Sequence, residues 1–151
     1  MVHPDLVRVV KRAITITEQD FTVHDGGRTI KEQREYVRRG VSQTMKSNHL
    51  VQEDGYGHAV DLVPYMNGKL RWELDPCCVI AFAMQQAAKD ESVRIRWGGA
   101  WARLDNHCYN PVLMVEKYIA RHRRQNRQPF IDAPHYEIVD REERDLKLRP
   151  G

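Results

Sequence analysis

The chain has 151 residues, of which 41% are hydrophobic and 30% charged, and its formal net charge at pH 7 is +3. This length predicts one soluble domain over residues 1–151, and no apolar run approaches the roughly 18 residues that a membrane span requires. The N-terminus has the amphipathic pattern of a helix and lacks a signal peptide's apolar block. We therefore expect a monomer that is cytoplasmic on synthesis and does not insert into a membrane.

Apolar spacing, capping residues and helix breakers locate the predicted elements along the chain. Helices are expected to begin near Leu6, at Thr29 with a stop at Gly40, at Asp75 and at Asn110, and strands at 21–24, 59–63, 93–97 and 134–140. Because helices alternate irregularly with a few short strands, the pattern predicts an α+β fold. The highly charged tail, about 140–151, is expected to be peripheral.

Asp61 interrupts an otherwise apolar strand pattern, "AVDLV". A buried carboxylate needs a cation, backbone donors or a metal ion as its partner. Because side chains alternate along a strand, His58 is expected to point away from Asp61, whereas His49 can fold back across the loop. His135 lies in a second predicted strand, and two histidines with one aspartate form a ligand set of the catalytic zinc type.

Asp132 precedes His135 by three residues, in "DAPH". This spacing predicts a carboxylate close to the metal that is not itself a ligand. Metal-assisted hydrolysis of an amide requires such a group, because a base must take a proton from the attacking water and return it to the leaving amine.

Four motifs together resemble one family: "GGRTIKEQREYVRRG", "SNHL…GYGHAVDL", "IRWGGAW" and "DAPHYEI". The chain resembles the zinc peptidoglycan peptidases, which include D-alanyl-D-alanine carboxypeptidases and phage L-alanyl-D-glutamate endopeptidases. The resemblance covers roughly residues 20–139. It implies a small α+β fold shared with the hedgehog signalling domain, in which helices flank an antiparallel sheet. It also implies one zinc ion per chain and the peptidoglycan stem peptide as substrate.

Carried over residue by residue, the resemblance makes His49, Asp61 and His135 the zinc ligands. Asp132 becomes the general base. Arg28, in "GGRT", would bind the developing oxyanion or a substrate carboxylate. The favoured function is that of a phage or prophage lysin that cleaves L-Ala–D-Glu and reaches the wall after release through a separate membrane pore. A D-Ala–D-Ala carboxypeptidase is the alternative.

Two features depart from the family pattern. His49 and Asp61 are twelve positions apart, farther than in the family, with "VQEDGY" apparently inserted. The second departure is a long stretch at about 102–131, which is expected to add a helix beside the cleft. Its effect on substrate choice does not follow from the sequence.

Other readings of the same residues remain open. Asp61 could pair with Arg28 without a metal, His58 could replace His49 as a ligand, and Glu137 could orient His135 or form an exposed salt bridge. A wall-binding module without catalysis would keep the ligands but not need Asp132. A nucleic-acid-binding domain would use the basic segment 121–127 and need no metal, but we expect no nucleic-acid partner. The three cysteines are expected to be reduced structural thiols.

Overall fold

A computed structural model describes residues 1–24, 30–39 and 48–139 of the chain. Within these ranges the helices are α1 (Pro4–Ile16), α2 (Ile30–Arg38), α3 (Leu74–Asp90) and α4 (Pro111–Arg124). The strands are β1 (Phe21–His24), β2 (Ala59–Met66), β3 (Lys69–Leu70), β4 (Ile95–Trp97), β5 (Ala102–Arg103) and β6 (His135–Ile138). The mixture of helices with short strands is the predicted α+β class.

The strands form one antiparallel sheet in the order β1-β2-β6-β4-β5, and β3 pairs with the end of β2. The central pair is β2 with β6, so two segments that are far apart in sequence lie side by side. Asp61 of β2 is opposite His24 of β1 on one side and opposite His135 of β6 on the other. Because directly opposed residues share a face, these three side chains form one row across the sheet.

Helices cover the other face of the sheet. Side chains from α1, α3 and α4 join inward-facing strand residues in a single hydrophobic core, whose largest fully buried members include Trp97, Tyr136, Leu6, Leu62, Ile80 and Met84. Trp97 is therefore a core residue. Cys77 and Cys78 also lie in this core, where burial raises their thiol pKa values to about 12 and about 11, and Cys108 is exposed.

Local capping explains where two of the helices begin. At α1 the Nδ1 atom of His3 accepts a hydrogen bond from the Asp5 amide, with Pro4 in the first turn. At α4 the Asn110 side chain accepts from the Leu113 amide at 2.9 Å, which confirms Asn110 as the N-cap. A prolyl residue is tolerated in a first turn because the amide that it lacks has no helical partner there.

The start of α3 differs from the prediction. The N-cap is Glu73, not Asp75, and it makes no side-chain hydrogen bond to the helix. Asp75 lies in the first turn instead, where a carboxylate still interacts favourably with the helix dipole. The strand β1 has the predicted bounds, and the other predicted elements are present with at least one end shifted or outside the described residues. Thr29, Gly40, the "DGG" turn and the tail at about 140–151 lie outside the described residues.

Candidate metal centre

Three side chains from two strands and one loop meet on the open face of the sheet. Asp61 and His135 come from the paired strands β2 and β6, and His49 comes from the loop that precedes β2. Within the described ranges this is the group of histidine, cysteine and acidic side chains that could hold a metal ion. We call it the inner cluster.

The donor atoms of the inner cluster form a nearly equilateral triangle. His49 Nε2 lies 3.1 Å from His135 Nδ1 and 3.2 Å from Asp61 Oδ1, and His135 Nδ1 lies 3.4 Å from Asp61 Oδ1. Both histidines are buried, whereas Asp61 retains partial solvent access. The solvent access is to the rest of the Asp61 side chain, because its Oδ1 atom is buried.

The donor set fits a transition metal. Asp61 Oδ1 is buried and has no hydrogen-bond partner in the described part of the chain, although two imidazole nitrogens lie close to it. Bonds of about 2.05 Å to a tetrahedral ion place neighbouring donors about 3.3 Å apart, which is close to the observed edges. Magnesium and calcium prefer sets made of oxygen donors, so two imidazoles favour a metal of the zinc type.

An inserted loop still lets His49 reach Asp61. Residues 51–56 fold back on themselves, because Val51 and Gly57 form an antiparallel bridge and Gln52 donates to the Tyr56 carbonyl at 2.8 Å. Gly55 at the turn has φ +84°, a conformation that glycine adopts without strain. His49 and Asp61 therefore lie close together although they are twelve positions apart in sequence.

Glu137 joins the two histidine segments. This carboxylate is only 1% exposed and lies 3.1 Å from the Nε2 atom of His135, on the side of the ring away from the donor triangle. Its other oxygen accepts from the side-chain amide of Asn48, the residue before His49. Arg96 is directly opposite Glu137 on β4. Glu137 is therefore part of the site's support and not an exposed salt bridge.

The backbone holds Asp132 next to His135. The Asp132 carbonyl accepts from the His135 amide at 3.1 Å, and the Asp132 amide donates to the Gly98 carbonyl at 2.9 Å. A Cβ atom at position 98 would overlap the Asp132 carbonyl oxygen, so only glycine permits this close approach. Asp132 is half-buried and lies outside the donor triangle.

Burial and neighbouring charges shift the pKa values of the side chains at the inner cluster. Burial opposes ionisation of Asp61, but contacts with His135 and His49 outweigh it and hold the pKa of Asp61 well below its usual range. Burial likewise lowers the pKa of His135, yet the carboxylates of Asp61 and Glu137 raise it to about 10. The pKa of Glu137 is lowered despite burial, chiefly by His135. Without a metal, the two carboxylates thus favour the protonated form of His135.

His58 is not part of the inner cluster. Its Nε2 atom lies 2.7 Å from Asp54 Oδ2, on the outer side of the inserted loop, and His3 Nε2 lies 3.9 Å from the same oxygen. His58 thus points away from Asp61, as the alternation of side chains along a strand predicts. We call His3, Asp54 and His58 the outer cluster. Arg28 lies outside the described residues.

Three residues near the inner cluster were not singled out from the sequence. His24 is in register with Asp61, Asn48 binds Glu137, and Phe130 stacks on Trp101, whose ring centroid is 5.4 Å from that of His135. His24 could have been found by pairing β1 with β2, because both strands were predicted. Neither Asn48 nor Phe130 has a periodicity or motif that would indicate its position.

Comparisons with known proteins agree with this geometry. A family model described as phage L-alanyl-D-glutamate peptidase matches residues 1–139. The L-alanyl-D-glutamate peptidase of Escherichia phage T5 is 33% identical over 104 residues, which are 66% of this chain and 72% of the phage protein. The crystal structure of the L-Ala D-Glu endopeptidase ChiX of Serratia marcescens matches with a TM-score of 0.66 and 33% identity, covering 97% of this chain and 85% of that one.

Proposed function

The chain belongs to the phage L-alanyl-D-glutamate peptidase family, and we propose that it is a zinc-dependent endopeptidase that cleaves the L-Ala–D-Glu bond of peptidoglycan stem peptides. The observation that supports this most directly is the triangle of two imidazole nitrogens and one carboxylate oxygen, with edges of 3.1 to 3.4 Å. A set of three protein donors is the arrangement of catalytic zinc, which keeps a fourth position for water, whereas structural zinc is enclosed by four.

His49, Asp61 and His135 are the proposed zinc ligands. Zinc bound by them supplies Lewis-acid activation of the attacking water and of the scissile carbonyl. Strand pairing holds Asp61 opposite His135. The hydrogen bond between His135 and Glu137 orients the His135 ring so that its Nδ1 atom points toward the other two donors.

Asp132 is the proposed general base. Its backbone is fixed by Gly98 and by the turn to His135, and Asp132 is not one of the three donors. A carboxylate in that position accepts a proton from the attacking water and delivers it to the D-Glu amine as the bond breaks. Arg28 is proposed to bind the oxyanion or a substrate carboxylate, on its motif alone.

The remaining proposals concern the whole molecule. We propose a single catalytic domain over residues 1–151 that works as a monomer at the cell wall, with no nucleic-acid partner. None of the helices in residues 1–24, 30–39 and 48–139 is long and apolar enough to cross a membrane. The buried donor triangle favours catalysis over a nucleic-acid role, because a nucleic-acid-binding domain would need no such set of donors.

Digestion of purified peptidoglycan tests the function. The zinc-loaded protein is incubated with walls of known chemotype, and the released fragments are identified by mass spectrometry with amino-terminal labelling. We expect new peptides that begin with D-Glu and glycan strands that retain L-Ala. The chelated protein is the control and should release neither.

Two other results would contradict the proposal in different ways. Loss of terminal D-Ala without new D-Glu amino groups would make the protein a carboxypeptidase. Zinc binding without any released amine, on every wall chemotype tried, would support a wall-binding module instead.

A further inference from the structure

Two aromatic side chains stack on each other beside the inner cluster. Trp101 follows β4, and its ring centroid is 5.4 Å from that of His135. On its other side Trp101 stacks on Phe130, with centroids 5.8 Å apart and planes inclined by 14°. We call this pair the aromatic shelf. It is partly open to solvent, because Phe130 is 48% exposed.

The aromatic shelf is held in place by specific contacts. The Phe130 carbonyl accepts two hydrogen bonds, from Trp101 Nε1 at 3.0 Å and from the Tyr118 hydroxyl of α4 at 2.8 Å. The Arg96 guanidinium lies 5.4 Å from the Trp101 ring. An exposed phenyl group is therefore fixed beside a ligand candidate by the segment at about 102–131.

The backbone of Trp101 is also unusual. Its φ is +48°, in the left-handed region that bulky residues rarely adopt. Such strain persists where surrounding contacts over-determine it, often at functional sites. Here the strained residue is the one whose ring connects Phe130 to His135.

Exposure of a phenylalanine is not informative by itself, since much of any protein surface is apolar. Phe82 shows this, because it is 46% exposed on α3, a helix that packs against the opposite face of the sheet. What distinguishes Phe130 is its fixed position and its continuity with the donor triangle. Phe82 is thus a matched control of the same residue type and nearly the same exposure.

We propose that the aromatic shelf is the wall of the substrate cleft against which the stem peptide packs the apolar groups that adjoin the scissile bond. This proposal rests on the proposed function. The L-Ala–D-Glu segment is otherwise polar, and its apolar groups are the alanine methyl and the glutamate methylenes. A rigid aromatic face buries such groups with little loss of side-chain entropy. The segment at about 102–131 then contributes directly to substrate binding, through Phe130.

Steady-state kinetics on a soluble stem peptide, L-alanyl-γ-D-glutamyl-diaminopimelate, test the aromatic shelf. For Phe130→Ala we expect KM to rise about tenfold with a much smaller change in kcat, because partial burial of one phenyl group contributes about 1–1.5 kcal/mol. Phe130→Tyr should restore most of the wild-type KM. Phe82→Ala should leave both constants unchanged, and zinc content should be the same in all four proteins.

A direct binding measurement separates failure of this proposal from failure of the proposed function. The same peptide is titrated into each zinc-loaded protein at low temperature, and the intrinsic tryptophan fluorescence is followed. Weaker binding in Phe130→Ala than in Phe82→Ala supports the aromatic shelf even if no bond is cut. Equal binding in these two variants, or no binding to the wild-type protein, overturns it, whereas a failure to release amines from any wall overturns only the proposed function.

Discussion

The inner and outer clusters have the same composition, two histidines and one aspartate. They lie on opposite sides of the inserted loop, residues 51–56. In the inner cluster the three donor atoms lie within 3.4 Å of one another and both histidines are buried. In the outer cluster His58 pairs with Asp54 at 2.7 Å, while His3 stays 3.9 Å away and uses its Nδ1 atom to cap α1. Residue types are therefore insufficient for a metal site. Strand register and burial decide which set of donors converges.

Zinc content gives the largest expected difference between the clusters. Loss of one donor leaves the metal with two protein ligands, so His49→Ala, Asp61→Ala and His135→Ala should each fall from about one zinc per chain to a small fraction. His3→Ala and His58→Ala should retain the metal. Atomic absorption on the five purified variants, with circular dichroism to verify folding, makes the measurement. Zinc loss in His58→Ala with retention in His49→Ala would show that the outer cluster supplies a ligand.

The second prediction concerns turnover and compares Asp132 with Asp54 of the outer cluster. Asp132→Asn keeps the size of the side chain but cannot accept the proton, so turnover on peptidoglycan should fall by at least about 10²-fold while zinc remains bound. Asp54→Asn makes the same chemical change at the outer cluster and should leave turnover nearly unaltered. Amine release and zinc content are measured for both. Equal activity of Asp132→Asn and wild type would assign the base to another residue, with Glu137 the next to test.

Glu137 provides a smaller expected effect, on metal affinity. Glu137→Gln keeps a hydrogen-bond acceptor for His135 but removes the charge, and zinc affinity should fall by about 10- to 100-fold. Asn48→Ala, which removes the donor to Glu137, should weaken binding less. Competition with a chromophoric chelator gives the affinities, and the visible spectrum of the cobalt-substituted protein reports any change in ligand geometry. Unchanged affinity and spectrum in both variants would show that the ligands are oriented without this hydrogen bond.

The pH dependence of the stability of the chelated protein tests the charges around His135. The folded-state pKa of His135 is raised to about 10 from an ordinary 6.5, so the fold gains stability from its protonation that is complete below pH 6.5. This contribution is lost as the pH rises through about 10. The melting temperature of the chelated protein should therefore decline between pH 7 and 10, more steeply than that of chelated His135→Gln. Parallel curves for the two proteins would contradict the raised pKa.

The chemistry of the site follows from the sequence more readily than its support does. Asp61 within an apolar strand and Asp132 before His135 are local patterns, and the resemblance of the surrounding motifs to one family implies that they are a metal ligand and a base without any knowledge of the fold. Asn48 binds Glu137 across 89 positions of sequence, and no local pattern encodes that separation. The strands β3 and β5 were also not predicted, because two residues are too few to show alternation.

The start of α3 illustrates a different failure. Asp75 has the residue type and the following proline of an N-cap, yet the N-cap is two positions earlier, at Glu73, and the helix begins at Leu74. Leu74 packs against the core, and tertiary packing outweighs a capping preference of about 1 kcal/mol. Element type was therefore predictable at this position, whereas the boundary depended on contacts with the rest of the molecule.

Gly98 has an evolutionary consequence. It contributes no side chain, yet the overlap that any Cβ would make with the Asp132 carbonyl gives selection a single option at this position. Substitution there would have to displace the turn that connects Asp132 with His135. Substitutions at position 98 should therefore not be tolerated as long as selection maintains the activity. In a pseudogene of this family, the glycine would be expected to be lost as early as a ligand.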